Sequence, residues 1–266
     1  MRPREGPSLT EPVLLRLDEV SISFGGLAAL SQVSFGVEPG TVKAVIGPNG
    51  AGKTTLFHLI TGFLTPETGR ILFQNQEIQG RPAHAIAARG IARTFQLVQL
   101  FDHLTVLENI MVGRHRLTRS GLVAGALRLP RTRREEAVIR QDAWESLEFV
   151  GLTGRAHQLA GSLPLGLKRL LEIARALAAA PTLLLLDEPA SGLDPVETER
   201  LGERIMDLRR RGLTVLLVEH DMSLTMEVAD DIAVLNYGRL LAQGPPRAIQ
   251  RHPEVIAAYL GTDWQG

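Results

Sequence analysis

Cysteine is absent from the 266 residues, which removes disulfides and thiolate metal sites and fits a reducing compartment. Charge of one sign is also missing. The 29 basic residues balance 29 acidic ones, so no net field draws the chain towards nucleic acid or an anionic membrane, and no nucleic-acid partner is expected. Lysine is scarce, occurring only at Lys43, Lys53 and Lys168, with arginine supplying the remaining basic residues. No apolar run approaches the roughly 18 residues of a membrane helix; the richest one is broken by Arg175, Pro181 and Thr182. The first eleven residues hold Arg2, Arg4, Glu5 and two prolines, without the apolar centre of a secretory signal. A protein that stays in the cytosol and meets membranes peripherally is the expectation. What is present in quantity is hydrophobic residues, at 44%, enough for a sizeable core in one large domain carrying at most a small insertion.

Short segments rich in branched or aromatic residues, over 14–17, 20–24 and 33–37, alternate with Gly25, Gly26, Pro39 and Gly40 and predict strands joined by turns. Residues 42–46 predict a strand that ends at Gly47, followed by a glycine-rich loop and an apolar-periodic helix over 54–60. From about 96 to 160 helical periodicities dominate, with a basic, turn-prone patch at 128–134, which reads as an inserted helical subdomain with an exposed loop. Beyond it lie a helix over 168–180, an apolar strand over 183–186, a helix over 195–211 and a second apolar strand over 215–218. Strands apolar on both faces that alternate with helices predict a parallel α/β sheet. The last piece, 245–264, predicts a terminal helix with Pro253 near its start. The expected division is a tail over 1–12, a first core part with a β subdomain over 13–95, a helical subdomain over 96–160, a signature helix with the second core part over 161–244, and a C-terminal helix over 245–266.

Gly47, Pro48, Asn49, Gly50, Ala51, Gly52, Lys53 and Thr54 satisfy the spacing G-x-x-x-x-G-K-[ST] between a predicted strand and a predicted helix. Glycines let backbone N–H groups turn inward around phosphate oxygens, and the helix N-terminus adds a favourable dipole. Lys53 then reaches the β- and γ-phosphates of a nucleotide, the Thr54 hydroxyl is placed to ligate Mg²⁺, and Thr55 belongs to the same cradle. A metal–nucleotide site also needs a carboxylate, and Asp187 ends the apolar strand 183–186. In open parallel sheets the carboxyl ends of strands line the ligand crevice, so Gly47, Asp187 and His220 should converge there. Asp187 is then the metal-orienting carboxylate, and Glu188 the general base that polarises water.

These residues resemble the ABC ATPase family, and the resemblance covers nearly the whole chain. It implies a P-loop NTPase fold: a RecA-like parallel-sheet core, an antiparallel β subdomain and an inserted helical subdomain. Carried over position by position, Gln96, in Arg93-Thr94-Phe95-Gln96, matches the Q-loop glutamine that senses Mg²⁺ and faces the membrane subunits. Ser191, Gly192, Leu193 and Asp194 match the D-loop that crosses the dimer interface, and His220 matches the switch histidine. Phe24 stands where the family places an aromatic residue against adenine. The signature motif, commonly Leu-Ser-Gly-Gly-Gln, aligns here with Leu163, Pro164, Leu165, Gly166 and Leu167. Only Leu163 and Gly166 match. Pro164 has neither hydroxyl nor N–H, so donors that could touch a γ-phosphate are missing, and a weakened signature face is expected.

Within the family the chain looks like the ATP-binding subunits of branched-chain amino-acid importers, with urea and amide importers sharing the pattern. Lipopolysaccharide-export ATPases are the alternative, and soluble ABC ATPases of repair or translation a further one. The importer resemblance implies ATP and Mg²⁺ as cofactors, a second and different ATPase chain, two permeases, an external solute-binding protein, and a place on the cytoplasmic face of the membrane. In the family each ATP is held between the phosphate loop of one subunit and the signature of the other. Residues 95–101, apolar without a clean core period, are expected to form a groove for a short permease helix.

Overall fold

The computed structural model describes residues 13–94, 98–115 and 130–260. Its centre is a six-stranded sheet built from β3 (Val42–Ile46), β6 (Ile91–Arg93), β7 (Leu183–Asp187), β8 (Thr214–Val218), β9 (Asp231–Asn236) and β10 (Arg239–Gly244). The order is β10-β9-β3-β8-β7-β6, parallel throughout except for β10 against β9. Side chains on a strand alternate between faces, and here both faces are apolar. Val42, Ala44, Ile46, Leu184, Leu186, Val215 and Leu217 face one core. Val45, Leu183, Leu185, Leu216 and Val218 face the other.

The first core is closed by α3 (Val106–His115), α4 (Pro130–Phe149), α5 (Leu165–Leu177), α6 (Pro195–Arg210) and α7 (Met222–Val228), which supply Ile110, Leu147, Leu171, Leu201 and Leu224. The second is closed by α1 (Lys53–Ile60) and by an antiparallel sheet ordered β2-β1-β4-β5. The strands of that sheet are β1 (Leu15–Phe24), β2 (Leu27–Val37), β4 (Thr68–Phe73) and β5 (Gln76–Glu77). A short α2 (Ala83–Ala88) precedes β6, and α8 (Pro246–Ile249) and α9 (Pro253–Leu260) follow β10.

Several elements depart from expectation. Strands 14–17 and 20–24 are one strand, β1, bent where its register shifts between Leu17 and Val20 and Glu19 adopts φ 50°. The turn-prone patch at 128–134 contributes its Pro130 as the first residue of α4, a position where a missing N–H costs nothing. Helix α5 begins at Leu165, three residues earlier than expected, because Pro164 is its extended N-cap. The terminal helix is two, with Pro253 opening the second. Strands β9 and β10 are additional to the sequence reading; the short apolar run Ile232 to Leu235 between Asp231 and the turn at Tyr237 and Gly238 is their signal.

Candidate nucleotide site

The phosphate loop follows β3 and runs into α1, and its shape is fixed by neighbours that leave no room for side chains. A Cβ on Gly47 would stand 2.1 Å from the Leu235 carbonyl oxygen; one on Gly52, at φ 104°, would stand 2.6 Å from the Ala29 oxygen. Behind the loop, Gly238 donates its N–H to the Ala51 carbonyl at 3.1 Å, so the β9–β10 hairpin is the loop's backing. The loop encloses a cavity of about 210 Å³ lined by Asn49, Gly50, Ala51, Gly52, Lys53, Thr54, Thr55 and Glu188, with Ala29 from β2. Lys53 is buried and donates its Nζ to the carbonyls of Gly47 (2.6 Å) and Pro48 (3.2 Å). Burial lowers its pKa, while Glu188, Asp187 and Glu219 pull it back up.

Glu188 emerges from β7 at φ 44°, a left-handed conformation that a non-glycine residue holds only where its surroundings over-determine it. Its own N–H donates to the Val218 carbonyl at 2.8 Å, which ties the β7 end to the β8 end. His220 Nδ1 stands 3.8 Å from Glu188 Oε2. Adjacent parallel strands β3, β8 and β7 therefore bring Gly47, His220, Asp187 and Glu188 to one end of the sheet.

Asp187 is buried, and its partner is one that sequence reasoning missed. Arg93, at the end of β6, donates Nη2 to Asp187 Oδ2 at 2.7 Å and Nη1 to Thr61 Oγ1 at 3.3 Å, with its guanidinium 5.5 Å from the centre of the Phe57 ring. One cation thus joins β6, β7 and the helix of the phosphate loop. A charged residue closing a short strand beside a predicted strand-end carboxylate was the available signal. Glu219 was missed too. It is fully buried at the end of β8, and its carboxylate accepts N–H bonds from Ala190, His220 and Asp221.

Other predicted residues stand apart from this cluster. Phe24 is half exposed near the tip of the β1–β2 hairpin and does not line the cavity. Gln96 lies outside the described residues, and so do Phe95 and Leu97. Leu163, Pro164, Leu165, Gly166 and Leu167 occupy the start of α5, where Pro164 provides no side-chain cap. A Cβ on Gly166 would meet Glu197 Oε1 at 2.3 Å, and one on Gly192 would meet the Leu165 side chain at 3.0 Å, so the signature and D-loop segments pack against each other. Asp194 caps α6 through Glu197 in a reciprocal capping box. Ser191 offers its carbonyl to Arg169 Nη2 at 3.5 Å, while Leu193 packs against the first core. Further along α5 the buried Glu172 accepts the Gln99 N–H at 2.8 Å, and burial pushes its carboxyl above the usual range.

A cavity of about 390 Å³ adjoins, at Thr94, the stretch 95–101 expected to form a groove, and is lined by Phe63, Ile86, Arg93, Val112, Glu172 and Arg175 among others. Val98 and Phe101 do not line it. Phe101 is nevertheless exposed, with its N–H donated to Asn109 Oδ1.

Residues 30–191 match the family model described as "ABC transporter". The chain belongs to the ABC transporter family. Residues 239–264 match a second model, the branched-chain amino acid ATP-binding cassette transporter. Among curated proteins the chain is similar to the high-affinity branched-chain amino acid transport ATP-binding protein BraF of Pseudomonas aeruginosa, with 46% identity over 249 residues, 93% of this chain and 98% of that protein. Its likeness to LivG of Escherichia coli, of the same description, is 45% over 251 residues, with 93% and 98% covered. Among solved structures it resembles a nucleotide-free ATP-binding cassette from an ABC transporter, at a TM-score of 0.82 and 32% identity, covering 94% of this chain and 99% of that one. The fold is that of an ABC ATPase, as the sequence predicted, and the chain is an ATP-hydrolysing transporter subunit. Among the described residues no helix is long and apolar enough to cross a membrane.

Proposed function

We propose that this chain hydrolyses ATP to power uptake of branched-chain amino acids, seated peripherally on the cytoplasmic face beneath permease subunits and opposite a second, different ATPase. What carries the solute class is the match of residues 239–264 to the branched-chain amino acid cassette model. An external solute-binding protein completes the system in this reading.

Within the chain, Lys53 and the backbone N–H groups of residues 47–54 hold the phosphates, and Phe24 offers an apolar face to adenine. The donor set that remains suits Mg²⁺, because the exposed Thr54 hydroxyl and the Asp187 carboxylate are hard oxygen ligands, with Gln96 completing them. When bound, the ion neutralises charge on the phosphates. Glu188 orients and deprotonates the attacking water, and its strained backbone aims the carboxylate into the phosphate cavity. His220, beside Glu188, faces the γ-phosphate side. Leu163, Pro164, Leu165, Gly166 and Leu167 complete the partner's site, while Ser191, Gly192, Leu193 and Asp194 cross the interface. The apolar cavity between α2, β6, α3 and α5, with Phe63 and Val112 exposed at it, receives a permease helix.

Uptake of radiolabelled leucine tests this reading in cells that lack their own importers and carry this chain with its neighbouring permease, ATPase and binding-protein genes. Accumulation that disappears with Glu188→Gln is the expected result. Absence of uptake, or uptake indifferent to that substitution, defeats the proposal.

A further inference from the structure

Glu219 is not among the groups proposed to hold the phosphates or activate water, yet it is wholly buried next to His220 and its charge acts on Lys53. Its two carboxylate oxygens serve different segments. Oε1 accepts the Ala190 N–H at 2.8 Å; Oε2 accepts those of His220 at 3.0 Å and Asp221 at 3.3 Å. Ala190 lies two residues beyond Glu188 and immediately before Ser191, at the head of the D-loop. His220 Nδ1 is 3.8 Å from Oε2 of Glu219 and equally far from Oε2 of Glu188, so the imidazole stands between the two carboxylates.

A carboxylate suits this link because both of its oxygens accept, and all three groups facing it are N–H donors. Glutamine at the same place has one accepting oxygen. Its NH₂ would face an N–H at whichever end the oxygen did not serve, leaving a donor buried against a donor. Burial pushes the Glu219 carboxyl above its usual range, and the three N–H bonds and His220 draw it back. Among the described bonds, the one from Glu188 N–H to the Val218 carbonyl is a second tie between the same two segments. That bond fixes the base's backbone. Glu219 fixes Ala190, the residue that precedes the D-loop.

We propose that Glu219 is a positioning residue for ATP hydrolysis, clamping the strained turn that carries Glu188 to the loop that carries His220 so that both present to the γ-phosphate as one unit. The proposal rests on the reading of Glu188 as base and His220 as switch. The clamp also gives the D-loop a direct mechanical connection to the histidine, because Ala190 and His220 are held by one side chain.

The test uses the assembled transporter complex with Mg-ATP. Glu219→Gln should lower kcat at least about tenfold, while KM and the affinity for a fluorescent ATP analogue change by less than about threefold, since misplacing a reacting group taxes turnover and leaves the phosphate loop's binding intact. Added to Glu188→Gln, it should cost little more, because the two act as one unit. A folded Glu219→Gln complex with wild-type kcat overturns the proposal, as does a loss fully additive to that of Glu188→Gln. Wild-type complex without ATPase activity, or Glu188→Gln with full activity, would instead defeat the reading beneath it. Should Glu219→Gln fail to fold, Glu219→Asp keeps the acceptor chemistry but draws it back by one methylene. The same split of kcat from KM then supports the clamp, and an unchanged kcat overturns it.

Discussion

The phosphate-loop end and the signature end of this molecule are built on different terms. At the first, every group has a local reason for its position: Gly47 and Gly52 sit where neighbouring carbonyls exclude a side chain, Lys53 is anchored on two carbonyls, Asp187 is paired with Arg93, and Glu188 is held at φ 44°. At the second, α5 starts from a proline that caps nothing, and Leu165 and Val196 are left exposed around it. A self-contained site shows its function inside one chain. On the proposed function the second end completes a site on another chain, and here it presents only an apolar surface without side-chain donors.

The largest effect that would sharpen this contrast is on Arg93. Arg93→Met leaves the Asp187 carboxylate buried without its guanidinium, and breaking a buried pair from one side costs about 3–5 kcal/mol of stability. Denaturant unfolding should show that loss in nucleotide-free protein and a smaller one when Mg²⁺ and ATP are present, because the cation then supplies charge beside Asp187. Equal losses under both conditions would mean that Asp187 is a structural acid and that the phosphate-loop end is not the self-contained site its contacts describe.

Glu188→Gln comes next. Turnover by the assembled complex should fall by at least roughly 10²-fold, the usual weight of a positioned general base, with Mg-ATP still bound. Near-normal hydrolysis would move the base elsewhere. Lys53→Ala has the opposite signature: it removes the cation facing the phosphates, and loss of one charge-assisted hydrogen bond weakens nucleotide binding by about 1.5–3 kcal/mol. Equilibrium binding of a fluorescent ATP analogue reads this directly, and unchanged affinity would break the assignment.

Legibility in the sequence followed the same division. The central sheet was readable because Leu183 to Leu186 and Val215 to Val218 are apolar on both faces, and Val42 to Ile46 is so except for the buried Lys43, a pattern that solvent-facing strands lack. The phosphate loop was readable because backbone geometry there demands glycine at set intervals. By contrast, the bonds of Arg93 to Asp187 and of Glu219 to Ala190 span 94 and 29 positions, and no local spacing encodes such a pairing. The boundary at α5 was misplaced because Pro164 reads as a break, while in the fold it is the extended residue from which the helix departs.

The smallest effect bears most directly on the comparison. Pro164→Ser gives α5 a hydroxyl N-cap, a gain of about 1 kcal/mol, and removes the proline's restriction of the unfolded chain, a loss of about 0.4–1 kcal/mol, so stability should hardly move. Any functional change is then readable by itself. A serine hydroxyl can accept an N–H from its own helix and still donate outward, which proline cannot do. On the proposed pairing with a different ATPase chain, a complex already carrying Glu188→Gln should owe its residual hydrolysis to the other composite site, the one that this chain's signature would complete. Pro164→Ser should raise that residual rate about fivefold, equivalent to about 1 kcal/mol for one added hydrogen bond. With Glu188 intact, the same substitution should leave the dominant rate nearly unchanged. A rise in both backgrounds, or in neither, would mean that the two sites are not unequal in the way the bare N-terminus of α5 implies.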